Sequence, residues 1–252
     1  FTQSQDLTLS GGTLTIEKTG SLTMTGNFTN NSATVTLNSD ANEFAVIKVG
    51  GSASGNITYN RWVNAVGTNE WDLIGSPVDG LSISSFASTN SSPLATGGGS
   101  GGNQYAIGYY DNSADDWTNY TTATIGDAGN FDIGKGYQMG TDSGATVAFT
   151  GTIATTDQTQ AIINNDAANS GSGRRWDLIA NPFPSYLNAN DDAHASNNFL
   201  TVNINANNLH DTYASVYGYD GDGTFTAYNH SSPGSAVYIA PGQGFFVASK
   251  SE

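Results

Sequence analysis

The chain contains no cysteine and few residues of positive charge. Among its 252 residues, 7 are lysine or arginine and 22 are aspartate or glutamate, so the formal net charge is −15 at pH 7. The absence of cysteine excludes disulfides and thiolate metal sites. The shortage of basic side chains argues against nucleic acid and anionic membrane surfaces as partners. Calcium fits this composition better than phosphate does.

Long hydrophobic runs are also missing, and neither a membrane span nor a signal peptide is visible. We therefore expect no insertion into a membrane. Charged residues make up 12% of the chain and aromatic residues 11%, and there are 31 glycines. With abundant Ser, Thr and Asn, this composition predicts an all-β protein with many turns. Helical periodicity is weak, and it predicts one short helix near Leu187 to Ala195.

The first 56 residues consist of apolar-Thr-apolar triplets separated by glycine or asparagine. Alternation within each triplet predicts short strands with one buried face. At this spacing the strands are either the rungs of a β-solenoid or a run of tight hairpins. So few rungs should pack on the domain that follows. The triplets are Leu7–Leu9, Leu14–Ile16, Leu22–Met24 and Val35–Leu37.

The rest of the chain carries one pattern twice. Trp71–Val78 recurs as Trp176–Phe183, 105 residues later (176 − 71). Three further blocks follow each copy in the same order, which indicates a duplicated supersecondary unit. We predict two antiparallel, jelly-roll-like β-sandwich repeats over residues 57–155 and 156–252, with either one shared core or two. The matching blocks are Tyr105–Asp111 with Ala214–Asp220, Trp117–Tyr120 with Phe225–Tyr228, and Ile133–Tyr137 with Ala240–Phe246.

Three smaller features belong to this duplication. The first copy continues into an alternating strand at Ala145–Thr150 that has no visible equivalent in the second, so we expect a truncated second copy and a chain that is a fragment. The Gly-x-Gly blocks at Gly134 and Gly242 predict bulges or tight bends rather than phosphate loops, since no helix follows them. We also expect a flexible loop at Gly97–Gly102.

The motifs resemble a known group of proteins. Thr58–Val78, Trp176–Leu187 and Ile239–Val247 together are similar to modules of the large surface and secreted proteins of Bacteroidota. In those proteins such modules precede a sorting domain read by the type IX secretion system. The resemblance implies an extracellular, non-catalytic part of an adhesin or polysaccharide-degrading enzyme, with neighbouring domains in a larger chain.

Two acidic segments are candidate calcium ligands. Asp220 and Asp222 alternate with glycines, as hard-cation loops require, and Asp111, Asp115 and Asp116 occupy the matching segment of the first copy. The competing interpretation is a hairpin turn, because Asp-Gly is a strong hairpin signal.

Aromatic side chains are candidate binding residues for a polysaccharide. A ring stacks on the C–H face of a sugar, and acidic or amide groups bind its hydroxyls. The competing interpretation is core packing, to which we assign Trp71 and Trp176 outright. The candidates are Trp117, Tyr120, Tyr109, Tyr228 and Trp62, together with Tyr219.

No catalytic constellation is visible. The three histidines, His194, His210 and His230, are scattered, and no Gly-x-Ser-x-Gly elbow occurs. We therefore predict that the chain is not an enzyme. The leading hypothesis is an extracellular module that binds polysaccharide or another surface ligand, with structural calcium. A purely structural spacer or adhesin assembly domain is the alternative, and a polysaccharide hydrolase or lyase has the least support.

Overall fold

A computed structural model describes residues 1–67, 71–99, 102–166, 174–231 and 234–250. The all-β fold predicted above is confirmed: a short solenoid is followed by two sandwich-like antiparallel units. The elements are β1 Thr2–Gln3, β2 Leu7–Leu9, β3 Thr13–Ile16, β4 Ser21–Met24, β5 Phe28–Asn30, β6 Thr34–Asn38, β7 Val46–Val49, β8 Ala53–Ser54, β9 Ile57–Val63, β10 Asp72–Ile74, α1 Ile83–Thr89, β11 Thr96–Gly99, β12 Gly102–Asp111, β13 Asp116–Thr121, β14 Tyr137–Met139, β15 Ala145–Gly151, β16 Trp176–Ala180, β17 Leu187–Asn188, α2 Phe199–Asn205, β18 Ser215–Tyr219, β19 Phe225–Asn229, β20 Tyr238–Ile239 and β21 Gly244–Ala248.

The first nine strands form a solenoid with three parallel faces. Strand β4 lies between β1 and β7, β5 between β2 and β8, and β6 between β3 and β9. The first coil advances 21 residues, since Thr2 pairs with Thr23 (23 − 2). A run of hairpins would pair these strands antiparallel. The observed parallel pairing therefore shows that the segment is a solenoid and not a run of hairpins.

The middle threonine of each triplet is exposed or half-buried, and the flanking apolar residues fill the solenoid. Phe28, Leu37, Ile47 and Tyr59 are fully or almost fully buried. The Tyr59 hydroxyl donates to the Ala45 carbonyl at 2.8 Å, so its one polar atom is satisfied inside the core. Strand β9 then pairs antiparallel with β15 of the first copy, which closes the solenoid on the unit that follows.

The two copies have the same strand order. In the first copy the sheet runs β10-β14-β12-β13, and in the second it runs β16-β21-β18-β19. In each copy a short helix lies between the first strand and the hairpin: α1 comes after β10, and α2 comes after β16 and the two-residue strand β17. The duplication read from the sequence is therefore a duplication of topology.

The helix predicted near Leu187 to Ala195 is wrong. Leu187–Asn188 is strand β17, and the helices are Ile83–Thr89 and Phe199–Asn205. Each begins where a polar side chain caps it: Ser82 accepts from the Ser85 amide, and Asn198 accepts from the Thr201 amide. In these short helices the cap and the packing outweigh the periodicity of the sequence.

The loop predicted at Gly97–Gly102 is wrong for most of the segment, which belongs to strands. Thr96–Gly99 pairs antiparallel with the start of β12, with Thr96 opposite Tyr105. The neighbouring strand fixes these glycines through backbone hydrogen bonds that their composition does not reveal. Ser100 and Gly101 lie outside the described residues.

Among the described residues, the interior is divided among three clusters rather than one core or two. The first cluster joins the solenoid to the first copy, from Ile16 to Ile153, and the second lies inside the second copy around Leu200 and Phe245. The third, which we call the interlayer cluster, takes side chains from both copies. It consists of Leu73, Leu178 and Phe246, with Tyr110, Trp117, Trp176, Tyr217 and Tyr219 packed against it.

The copies contact each other reciprocally, as two halves related by a pseudo-twofold axis would. The Gly75 amide donates to the Gly242 carbonyl at 2.9 Å, and the Ala180 amide donates to the Gly134 carbonyl at 2.8 Å. Gly75 and Ala180 are equivalent positions, and so are Gly134 and Gly242. Such an exchange is typical of a self-complementary interface.

The Gly-x-Gly blocks explain this contact. Gly134 and Gly242 have φ of 81° and 67°, which only glycine adopts without strain. At Gly136 a Cβ atom would lie 2.5 Å from Leu178, on the opposite copy. The predicted tight bends are present, and the second glycine of each block permits close approach of the other copy.

Candidate functional site

A row of five aromatic rings runs along the interlayer cluster from one copy to the other. Neighbouring ring centroids lie 5.0–6.1 Å apart. Phe225 is 47% exposed and Phe246 is buried, whereas the other three rings are half-buried. We call this set the aromatic row: Trp117, Tyr110, Phe246, Phe225 and Tyr219.

Hairpin geometry places these rings. Tyr110 and Trp117 are directly opposite each other on β12 and β13, and Tyr219 and Phe225 are opposite on β18 and β19. The two hairpins are equivalent in the duplication. Each therefore contributes one cross-strand aromatic pair, and Phe246 on β21 lies between the pairs.

An acidic turn closes each hairpin beside this row. In the first copy, Asp111 accepts hydrogen bonds from the amide and hydroxyl of Ser113, at 3.0 and 2.7 Å. The Ser113 hydroxyl chiefly lowers the pKa of Asp111, so the carboxylate stays charged. Asp115 has a positive φ of 56° and accepts a hydrogen bond from the Tyr110 hydroxyl, while Asp116 accepts from the Trp117 amide.

The turn of the second copy is built the same way. Asp222 accepts from the amide and hydroxyl of Thr224 at 2.9 and 2.6 Å, and these bonds lower its pKa. Asp220 accepts from the Thr226 hydroxyl at 2.9 Å. The Gly223 amide donates to the Tyr219 hydroxyl at 3.0 Å, which ties the turn to the aromatic row.

The predicted calcium ligands thus act in hairpin turns, as the competing interpretation expected. Across the residues that the structure describes, no group of three or more His, Cys, Asp or Glu side chains is arranged to hold a metal ion. Within the same residues, one carboxylate oxygen of Asp115, Asp116 and Asp220 accepts no hydrogen bond. Those oxygens are available to a bound ligand.

The predicted sugar-binding residues do not form one surface. Trp117 and Tyr219 belong to the aromatic row, whereas the Tyr109 and Tyr120 rings contact each other at 5.7 Å and pack on the first cluster. Tyr228 packs on the second cluster. Trp62 lies on β9, where its indole N–H donates to the Asn64 side chain at 3.1 Å.

The assignment of Trp71 and Trp176 to the core is wrong, since both are half-buried. Trp176 lies at the margin of the interlayer cluster, 4.7 Å from Tyr217 and 5.8 Å from Tyr213. The duplication predicts that Trp71 and Trp176 lie at the start of equivalent strands, but it does not predict how far each side chain is buried.

Sequence reasoning missed three members of the aromatic row: Tyr110, Phe225 and Phe246. The duplication held the signal, because Tyr110 and Tyr219 are matched positions, as are Trp117 and Phe225. What it could not show is that the two matched pairs meet across Phe246.

One half-buried carboxyl group lies close to this region. Asp177 on β16 accepts only weak hydrogen bonds from the Ile163 amide, at 3.2 and 3.3 Å. Burial raises its pKa from 3.8 to about 7. The equivalent residue, Asp72, accepts from the backbone and side-chain nitrogens of Asn64 at 2.7 and 3.0 Å, and burial raises its pKa as well.

The fold and the site define an all-β, internally duplicated protein with an acid-flanked aromatic row. A family model described as a domain of unknown function (DUF8693) matches residues 2–252, and the chain belongs to that family. No curated protein and no solved structure matches the chain. No helix among the described residues is long and apolar enough to span a membrane.

Proposed function

We propose that this chain is a non-catalytic module of a secreted or cell-surface protein and that it binds polysaccharide at the aromatic row. The observation that supports the proposal is the row itself: five adjoining rings between two acidic turns, with Phe225 47% exposed. The extracellular setting rests on the resemblance to surface modules of Bacteroidota.

Sugar chemistry suits this arrangement. The faces and edges of the half-buried rings offer apolar area on which the C–H face of a pyranose packs. Carboxylate oxygens of Asp115, Asp116 and Asp220 beside the rings accept hydrogen bonds from sugar hydroxyls. The low number of basic side chains favours a neutral polysaccharide over an acidic one.

Affinity electrophoresis in gels that contain soluble neutral polysaccharides tests the proposal. We expect retention of the wild-type chain and loss of retention in Phe225→Ala, because this ring is the most exposed of the row. Tyr238→Ala is the matched control, since Tyr238 is 52% exposed and outside the row. Equal retention of both variants, with unchanged melting temperatures, would contradict binding at the row.

A structural spacer is the second candidate, and one observation favours it. The solenoid is joined to the second copy as well as to the first: the buried Arg61 donates to the Pro241 carbonyl at 3.0 Å, and the Ile47 amide donates to the Pro184 carbonyl at 2.9 Å. Parts joined in this way form a stiff unit. Absence of retention on every polysaccharide would favour the spacer.

Calcium stabilisation stays a prediction at the two acidic turns. A hard cation would take the oxygens of Asp115, Asp116 or Asp220 that the turns leave available. Thermal melting in calcium and in a chelator tests it. A higher midpoint in calcium is expected if the turns hold the ion, and an unchanged midpoint would remove calcium from the proposal.

A further inference from the structure

A polar row of residues lies beside the aromatic pair of the first hairpin. Gly108 on β12 is directly opposite Asn119 on β13 and directly opposite Gln138 on β14. These three residues therefore form one row across three neighbouring strands. Side chains two residues apart on a strand point to the same face of the sheet, so Asn119 shares a face with Trp117. The polar row is thus next to the pair of Tyr110 and Trp117.

Two side-chain amides meet across the middle of this row. The Gln138 Nε2 group donates to the Asn119 Oδ1 atom at 2.6 Å. The glycine between them makes the contact possible, because a Cβ atom on Gly108 would lie 2.1 Å from Asn119 Oδ1 and 3.1 Å from Gln138 Nε2. A glycine inside a strand weakens the strand, and it often marks a place where another group approaches closely. We call Gln138 and Asn119 the amide pair.

The amide pair has hydrogen-bonding groups to spare. Among the residues that the structure describes, neither Asn119 Nδ2 nor Gln138 Oε1 makes a hydrogen bond. Both residues are half-buried, so part of each side chain contacts solvent. One amide donor and one carbonyl acceptor are therefore available on the sheet face that carries Trp117.

The second copy has aromatic and aliphatic side chains in the equivalent row. Its Tyr217 is directly opposite Ala227 on one side and Phe246 on the other. Their strands β18, β19 and β21 are the counterparts of β12, β13 and β14, so these three residues match the polar row. None of the three carries an amide. The duplicated sheet therefore forms without an amide pair, and the two halves of the site differ in chemistry.

We propose that the amide pair determines the specificity of the polysaccharide site and selects neutral chains whose sugars are 1,4-linked. This inference rests on the function proposed above. Two neighbouring hydroxyls of one sugar ring can accept from Asn119 Nδ2 and donate to Gln138 Oε1, because each hydroxyl is both a donor and an acceptor. Inside a 1,4-linked pyranose chain the C2 and C3 hydroxyls are neighbours and both are free. Inside a 1,3-linked chain the C3 oxygen is part of the linkage, so no two ring hydroxyls are neighbours.

The arrangement separates affinity from selection. A ring that stacks on Trp117 places its edge hydroxyls toward Asn119, which lies about 7 Å further along the same strand. Stacking serves many sugars alike, whereas a hydrogen-bonding group left unpaired in a complex costs binding free energy and so discriminates. The hydrogen bond between Gln138 and Asn119 fixes the orientation of both amides before a ligand binds, which lowers the entropy lost on binding.

Affinity electrophoresis of the wild-type chain tests the selection of linkage. One set of gels contains glucomannan or xyloglucan, whose 1,4-linked backbones leave the C2 and C3 hydroxyls free, and another contains a linear 1,3-linked glucan. We expect retention by at least one of the 1,4-linked polysaccharides and none by the 1,3-linked glucan. Retention by the 1,3-linked glucan that is equal or stronger would overturn the inference.

Two substitutions test the amides themselves. Gln138→Met keeps the length of the side chain without its amide, and Asn119→Ala removes the other amide. Each should weaken binding to the 1,4-linked chain by about three- to tenfold in gels of graded polysaccharide content, because neutral hydrogen bonds are lost. Gln158→Met is the matched control, since half-buried Gln158 lies outside the amide pair and the aromatic row; it should change binding by less than about twofold. Melting temperatures check that the variants fold.

The outcomes distinguish this inference from the function on which it rests. Retention that is lost in Phe225→Ala but unchanged in both folded amide variants would overturn the role of the amide pair and leave the aromatic row as the binding site. Absence of wild-type retention on every polysaccharide would remove the proposed function and the inference together.

Discussion

The two copies of the duplicated unit share a strand order and differ in what covers their helices. In the first copy, α1 lies under β15, and Phe86 is fully buried against Phe149. In the second, α2 borders an open cleft, and Val202 is 52% exposed. One topology therefore exists in a closed form and an open form within the same molecule.

This difference shows that a copy can form its sheet whether or not a strand packs over its helix. Each sheet is held by strand pairing and by the reciprocal contact of Gly75 with Gly242 and of Ala180 with Gly134. That contact does not involve β15. The pairing within each sheet therefore does not depend on a strand that covers the helix.

The largest expected effect comes from matched truncations in the two helices. Phe86→Ala should lower the free energy of unfolding by about 3–5 kcal/mol, because it leaves a cavity in the first cluster. Val202→Ala should cost less than about 1 kcal/mol, because the side chain is already half in water. Urea unfolding of both variants measures the difference. Similar costs would mean that α2 is covered in solution.

A smaller effect is expected where the copies touch. A Cβ atom on Gly75 would lie 2.3 Å from the Ala180 Cβ and 2.7 Å from the Lys135 carbonyl oxygen. Gly75→Ala should therefore destabilise the protein by about 1–3 kcal/mol through overpacking.

The compensating change sharpens that prediction. In Gly75→Ala with Ala180→Gly, the methyl group moves across the pseudo-twofold contact, and part of the lost stability should return. Gly97→Ala is the control, since a Cβ there would meet no atom within 4 Å. If the double variant is no more stable than Gly75→Ala alone, the two positions do not share one contact.

The smallest expected effect is on the pH dependence of the free energy of unfolding, which should differ between the equivalent residues Asp177 and Asp72. The folded-state pKa of Asp177 is about 7, above its ordinary value of 3.8. Between those pH values the folded protein keeps a proton that the unfolded chain releases, so the free energy of unfolding falls as pH rises from about 4 to 7. Asp177→Asn should remove that fall and stabilise the protein at pH 8 by on the order of 1–3 kcal/mol.

Chemical unfolding at pH 4, 6 and 8 measures this effect. Asp72→Asn is the comparison, and it should gain less at pH 8, because Asn64 and the nearby Arg61 favour the charged Asp72 carboxylate. Parallel pH profiles for the wild-type chain and Asp177→Asn would show that the carboxyl group is not buried as described.

Much of the architecture could be predicted from the residues because the signals are local or repeated. Apolar-Thr-apolar triplets such as Leu14–Ile16 define strands with one buried face, and the repeated tryptophan blocks define the two units. The helices at Ile83 and Phe199 could not be predicted in this way. A seven-residue helix has little periodicity, and its stability comes from its cap and its packing.

Part of the candidate site could also be predicted from the sequence, and part could not. The acidic turns at Asp111 and Asp220 follow from composition, because aspartate and glycine favour hairpin turns. Trp117 was found, whereas Phe225 and Phe246 were not, since an aromatic residue on a strand can face either a core or solvent.

The class of fold, the short rungs and the two matched units follow from the amino-acid sequence, because the strand period and the repetition are properties of the order of residues. Three outcomes became visible in the three-dimensional fold alone: the rungs stack in parallel, the copies exchange backbone hydrogen bonds through their glycine blocks, and a strand covers α1 while α2 borders a cleft. Those outcomes depend on contacts between residues far apart in the chain, and no local pattern encodes which distant partner fills a given space.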